Sequence, residues 1–318
     1  MEPYRRYIPW AIALALALLI VGGYRALFAA PADFPVNSIV SIARGSSAPA
    51  IAEQLANAHI IAHPSLLRFF LRASLQSTSV HAGAYRFVVP QNLFVVAYRL
   101  VAGDYGFPPV RLTFVEGATT RDMAEQIAEA FPGIAQRDFL EAAQSHEGYL
   151  FPDTYLFLPS SDMASIIAIM RKNFDTKIEP LLDPVRASGR SLSDTVILAS
   201  LIEKEARTSE NRHLVAGVLL NRLKLGMPLQ VDAVFGYIFG RDTYSPSFAD
   251  LTVTSPYNTY THAGLPPGPI NNPGIDSLEA VIYPTKTDYL YYLTGKDGRM
   301  HYATTYAGHQ ANRKKYLD

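Results

Sequence analysis

The sequence predicts a mixed α+β protein behind an N-terminal transmembrane helix. Three observations carry that expectation. Tyr7 to Tyr24 holds no charged residue over 18 positions. Short strand-like runs such as Ile39 to Ala43 and Val110 to Phe114 are interleaved with helical stretches whose apolar residues recur at three and four. From Leu192 two helices follow in sequence, and then residues 226–275 are rich in Pro, Gly, Asn and Tyr and show little periodicity.

As a helix, the uncharged run spans ~27 Å at 1.5 Å per residue, close to a hydrocarbon core. Arg5 and Arg6 precede it, which predicts a cytoplasmic N-terminus. Tyr7 and Trp10 fall near the inner interface and Tyr24 near the outer one. A signal peptide cleaved around Ala29 and Ala30 is the competing reading. Either way, the rest of the chain is expected outside the cytoplasm.

The 318 residues suffice for two compact domains and an anchor, and 49% hydrophobic composition allows a real core. Lys+Arg and Asp+Glu are both 28, so no basic excess points to nucleic acid. There is no cysteine, which excludes disulfides, thiolate metal sites and a Cys nucleophile. The eight histidines are scattered and form no His-Glu-x-x-His. No P-loop, dinucleotide fingerprint or Gly-x-Ser-x-Gly occurs. Neither a metal nor a cofactor is expected.

After a proline-broken linker, Ile39 to Ala43 reads as a strand and Gly45-Ser46 as a turn. Ser47 can cap a helix from Pro49 to about Ala58 that buries Ile51 and Leu55. A second helix begins near Pro64, and Gly83 to Val88 reads as a strand. Strand–helix–helix–strand over about 50 residues resembles a LysM glycan-binding module; a packing or spacing domain fits the same pattern. Asn92 to Val101 can form another short helix. Val110 to Phe114 then opens a second α+β stretch. Thr119 or Thr120 caps a helix through Ala130, and further helices are expected over Gln136 to Gln144 and Ala164 to Glu179.

The helix Asp194 to Ala206 reads DTVILASLIEKEA. Ser191 or Ser193 can cap it. Leu198, Leu201 and Ile202 form an apolar stripe, and Glu205 follows at seven, four and three residues, on the same face at the last turn. Glu203 follows Val196, Ala199 and Ser200, about 160° away. Desolvation and the negative helix end would both raise the pKa of Glu205, which suits a general acid. An ordinary salt-bridging role in a Glu-Lys-Glu run remains open for either residue. The next helix, about Glu210 to Leu225, stops at Gly226. Gln230 and Asp232 follow a turn, and Ser255 to Thr261 offers hydroxyls, the Asn258 amide and two rings. Sugar sites need flat apolar surface and fixed polar groups, and these loops supply both.

Leu198-Ala199-Ser200-Leu201-Ile202-Glu203-Lys204-Glu205-Ala206 resembles the core motif of the MltG (YceG-like) endolytic murein transglycosylases. Asn221-Arg222-Leu223 and Gly226 to Gln230 continue the likeness. So do Tyr257 to Tyr260, Gly264 to Ile270, Asn272-Pro273-Gly274, Tyr289 to Tyr292 and His309. Upstream, Ala82 to Phe87, Glu116-Gly117 and Phe151 to Tyr155 match in order. Val231-Asp232-Ala233-Val234 departs from the commoner Thr-Asp-Pro-Thr and leaves the following turn in doubt.

The resemblance implies a lysozyme-like helical core with long loops and one catalytic glutamate, which maps to Glu205. It implies that protonated Glu205 cleaves the MurNAc–GlcNAc bond and then takes the proton of the MurNAc C6 hydroxyl, leaving a 1,6-anhydro end. Glu203, Gln230, Asp232, Asn258 and Tyr260 are the expected substrate-binding residues. The expected divisions are 1–30 for a cytoplasmic tip and anchor, 31–108 for a LysM-like subdomain, 109–190 for a connecting region and 191–318 for the catalytic domain. The implied setting is the bacterial inner membrane, with a periplasmic catalytic domain near glycan polymerases and other wall-synthesis proteins. A hydrolytic muramidase, a wall-binding scaffold without activity and an enzyme for another polysaccharide are the alternatives.

Overall fold

The computed structural model describes residues 7–74, 80–159, 161–241 and 245–318. Arg5 and Arg6, which set the expected membrane orientation, lie outside them. The chain divides into two compact units, Met1–Pro109 with 158–160, and Val110–Phe157 with Ser161–Asp318.

The first unit begins with α1, Ile8–Phe28. Among the described residues, no helix is long and apolar enough to cross a membrane. The side chains at positions 8, 9, 11 and 26 of α1 are not among those described. β1 (Ser38–Ile42), α2 (Ala48–Asn57), α3 (Pro64–Ser74), β2 (Gly83–Phe87) and α4 (Leu93–Ala102) follow. β1 and β2 pair antiparallel, with Val40 opposite Tyr85. The strand's two-residue period turns Val40 and Ile42 into the core, where α2, α3 and α4 bury Leu55, Leu67 and Leu100. Ser47 and Asn92 cap α2 and α4. Gly83 is required: at φ +150°, an added Cβ would lie 2.3 Å from the Tyr105 ring.

The second unit contains β3 (Val110–Thr113), α5 (Thr120–Ala130), α6 (Gln136–Ala143), β4 (Thr154–Phe157), α7 (Met163–Ile178) and α8 (Leu182–Ala187). It continues through α9 (Leu192–Glu205), α10 (Ser209–Lys224), α11 (Ala233–Phe239) and α12 (Ile275–Ile282), and ends in β5 (Tyr291–Thr294), β6 (Met300–Ala303) and α13 (Tyr306–Tyr316). β3 pairs with β4, and β5 with β6, both antiparallel. Thr119 and Asp122 form a reciprocal capping box at the start of α5.

Two cores hold this unit. The smaller joins Phe114, Met123, Phe139, Phe157 and Met170. The larger surrounds α9 and runs across position 190, joining Phe174 and Val185 to Leu201, Leu219, Phe235 and Leu278. Close approach of the chain after α12 requires Gly217 on α10, where a Cβ would stand 2.3 Å from the Thr285 carbonyl oxygen. The region expected to lack periodicity, 226–275, contains α11. Seven residues are too few for the helical repeat to stand out among the surrounding prolines and glycines.

Candidate active site

Ser191 begins α9 by accepting from Asp194 N at 3.0 Å, and the helix ends at Glu205. Every residue from Thr195 to Ile202 is buried. α9 is thus a central helix with no solvent face along that length, and the apolar stripe read from the sequence does not separate its two glutamates. Their partners do.

Glu203 is enclosed, with its side chain only 4% exposed. Its Oε1 accepts from Arg212 Nη2 at 2.7 Å and its Oε2 from Gly274 N at 2.9 Å. Arg212 also donates to Asp276 Oδ2 at 2.6 Å. The substrate contact expected of Glu203 is therefore corrected. It is a salt-bridged residue joining α9, α10 and the start of α12.

Glu205 meets different surroundings. Its Oε2 accepts from the Tyr292 hydroxyl at 2.9 Å. Burial pushes its pKa up to about 7. The hydrogen bonds from Tyr292 and Ala233 N and the charge of Arg222 oppose the rise, while the charge of Asp232 adds to it. Burial and the Glu205 carboxylate hold Tyr292 well above the usual phenol range.

Glu205 lines a cavity of about 750 Å³ together with Gln230, Asp232, Tyr260, Phe248 and Tyr291. A second cavity, about 690 Å³, shares Glu205, Asp232 and Pro246 with the first. The carboxylate thus sits where two open spaces meet. Phe248 is 91% exposed, an apolar ring presented to the cleft.

Asp232 stands immediately before α11, so the doubtful turn after it is a helix start. Its Oδ1 accepts from the Tyr260 hydroxyl, and the Tyr260 ring lies 5.8 Å from that of Phe235. Gln230 is exposed at φ +49°, a left-handed conformation uncommon for a residue with a side chain. Its N–H donates to the Thr259 carbonyl at 3.0 Å.

Asn258 does not join them. It is fully buried and lines neither cavity. Its Nδ2 donates to the carbonyls of Leu251 and Val253 at 3.1 and 2.9 Å, and its Oδ1 accepts from Tyr260 N at 2.9 Å. The expected substrate contact is corrected here too: Asn258 shapes the loop that presents Tyr260. The structure gathers Glu205, Gln230, Asp232 and Tyr260 at the cleft and leaves Glu203 and Asn258 outside it.

Several cleft residues had no role assigned from the sequence. Tyr292 is one. Arg222 is another, donating from Nε to the Leu290 carbonyl at 2.6 Å and from Nη1 to that of Leu229 at 2.7 Å. It joins the end of α10 to both walls of the cleft. Phe248 and His309 complete the set, with His309 stacked on Tyr291 at 5.4 Å. The motifs around Arg222, Tyr292 and His309 were visible in the sequence, but nothing in it showed where they converge. Among the described residues, no group of three or more His, Asp or Glu could hold a metal ion.

Fold and site define a mixed α+β protein that presents a carboxyl group of raised pKa, Glu205, in an aromatic-lined cleft. A group titrating near 7 can give a proton and take one back at neutral pH. The profile of the YceG-like family matches residues 40–315, and the chain belongs to that family. It is 32% identical over 305 residues to a Bacillus subtilis (strain 168) protein named endolytic murein transglycosylase, covering 87% of this chain and 84% of that one. It is 29% identical over 352 residues to a Streptococcus pneumoniae (D39) protein of the same name, covering 95% of this chain but only 64% of the relative's length. The crystal structure of a yceG-like protein from Listeria monocytogenes aligns with a TM-score of 0.59 at 30% identity, over 86% of this chain and 98% of that one.

Proposed function

We infer that this chain is an endolytic murein transglycosylase, cutting peptidoglycan strands between MurNAc and GlcNAc and leaving a 1,6-anhydro-MurNAc end. One observation carries the reading: Glu205, with a pKa near 7, stands where two cavities meet. A site open on both sides of its acid suits a bond inside a polymer rather than at its end. The names of the Bacillus and Streptococcus relatives support the same activity.

Protonated Glu205 gives its proton to the glycosidic oxygen as the C1–O bond breaks. The carbocation-like charge at C1 is relieved by the substrate's own N-acetyl oxygen. Glu205, now ionised and held by Tyr292, takes the proton from the MurNAc C6 hydroxyl, whose oxygen bonds to C1. The proton returns to Glu205 and no water is consumed, so one carboxylate serves both steps, unlike the two-carboxylate hydrolases. Tyr291, Tyr260 and Phe248 offer ring surface for pyranose faces, while Gln230 and Asp232 offer polar atoms for hydroxyls and acetamides.

α1 serves in this reading as a single-pass anchor to the bacterial inner membrane, N-terminus cytoplasmic and catalytic unit periplasmic. The uncharged run Tyr7 to Tyr24 in the sequence and the exposed Leu14, Leu18, Leu19 and Ile20 support that reading. The β1–α2–α3–β2 arrangement supports a LysM-like glycan-holding role for the first unit. An anchored enzyme at that face would act on strands as they leave the glycan polymerases, setting their length.

Digestion of purified glycan strands tests the activity. Early products should be long fragments whose new ends are lighter by one water than hydrolysed MurNAc. Hydrolysed ends would favour a muramidase, and disaccharides appearing first would favour an exo-acting enzyme.

A further inference from the structure

The cleft continues past the catalytic acid into a third cavity, about 380 Å³, at the N-terminus of α5. Thr119, Gly236, Tyr237 and Arg241 line both this cavity and the one that reaches Glu205. α11 spans the interval, and its seven residues correspond to ~10 Å. The third cavity is lined by charges of both signs. Arg121, Arg137 and Arg241 line it together with Asp122, Glu141 and Glu147.

Two features fix its walls. Glu147 accepts from Thr120 N at 3.1 and 3.2 Å and from Asn272 Nδ2 at 3.1 Å, which ties the loop before β4 to the first turn of α5. Arg121 lies against Gly240, where a Cβ would stand 1.6 Å from its Nη1, so the glycine admits the guanidinium. Asp122 and Glu147 are both held by hydrogen bonds at the start of α5, and burial pushes Glu147 up to about 7.

Murein sugars offer no charge to such a cavity. Their hydroxyls and acetamides are neutral, and the MurNAc lactyl carboxyl is amide-linked wherever a peptide stem is attached. The charges of the polymer lie on its stems, as carboxylates and amines. Extended peptide covers ~3.3 Å per residue, so a stem rooted on a sugar near Glu205 reaches ~10 Å within three or four residues.

We propose that the arginine-lined cavity beside α5 is a subsite for the charged peptide stem of the murein strand. The proposal rests on the murein reading above and adds the stem as a recognised part of the substrate. Guanidinium groups suit it because they bind carboxylates through paired N–H donors.

The test uses the full chain and two substrates, stem-bearing glycan strands and the same strands stripped of peptide by an amidase. Wild type should cut the stem-bearing strands faster. In the Arg121→Ala/Arg137→Ala double variant, that preference should fall about five- to tenfold, mainly through KM, with an unchanged melting temperature. Arg137→Glu, a single change at an exposed position, should lower the preference in the same direction. An equal preference in wild type and variants overturns the subsite while leaving the murein reading intact, as does a wild type indifferent to stems. Failure of wild type to cut either substrate overturns both.

Discussion

The Tyr292 hydroxyl donates to Glu205 Oε2 across 2.9 Å, joining the first hairpin strand after the long loops to the last residue of the central helix. This bond favours the ionised carboxylate and opposes burial, which favours the neutral acid. The site therefore holds Glu205 near the middle of its titration at neutral pH.

Removing that bond shifts the balance in a defined direction. Tyr292→Phe deletes a donor to the carboxylate, so the pKa of Glu205 rises above its wild-type value of about 7. Glu205 must begin the reaction protonated, so the alkaline limb of the pH–rate profile moves to higher pH. A profile of initial cleavage rates reads the shift. An unmoved or acid-shifted limb would show that Tyr292 does not tune this acid.

Glu203 and Glu205 should separate into stability and turnover. Glu203→Gln weakens a nearly enclosed ion pair with Arg212, with an expected cost of about 1–3 kcal/mol in urea unfolding. Its kcat should stay within a few-fold of wild type. Loss of turnover without loss of stability would return Glu203 to the list of residues that contact substrate.

Phe248 has almost no packing to lose, so Phe248→Ala should leave the melting temperature unchanged. A ring that stacks on sugar contributes to binding, and KM for glycan strands should rise about three- to tenfold with kcat little altered. A KM equal to wild type would remove Phe248 from the substrate path.

The catalytic acid also leaves a mark on stability. The ordinary glutamate value is 4.5 and the folded value about 7, so the folded state binds more protons between those limits. The favourable contribution is fully present below pH 4.5 and is lost as pH rises through 7. Glu205→Gln, neutral at every pH, should melt higher than wild type at pH 8, by about 1–3 kcal/mol, and similarly to it at pH 4. Melting curves at the two pH values check the sign, and a difference independent of pH would contradict it.

Much of this was legible along the chain because it depends on neighbours in sequence. Ser47, Asn92, Thr119 and Ser191 cap the helices they precede, and Gly226 takes the left-handed conformation just beyond the end of α10. The preference for Glu205 over Glu203 was argued from an apolar stripe, and that stripe cannot separate them because α9 is buried all round. What separates the pair are Arg212, Gly274 and Tyr292, the last 87 residues away in sequence. Asn258 was misjudged for a related reason: a loop amide that holds carbonyls has the same residue type as one that holds a sugar. Glu147, buried with a pKa near 7, shows no periodicity or spacing that would set it apart in the sequence.

The central claim is that Glu205 carries the proton in both steps, and Glu205→Gln tests it most directly. Mass spectrometry of strands incubated with wild type should reveal new 1,6-anhydro-MurNAc ends. With Glu205→Gln these ends should be absent, while binding to intact sacculi persists. Anhydro ends formed by the variant at a rate near that of wild type would contradict the account.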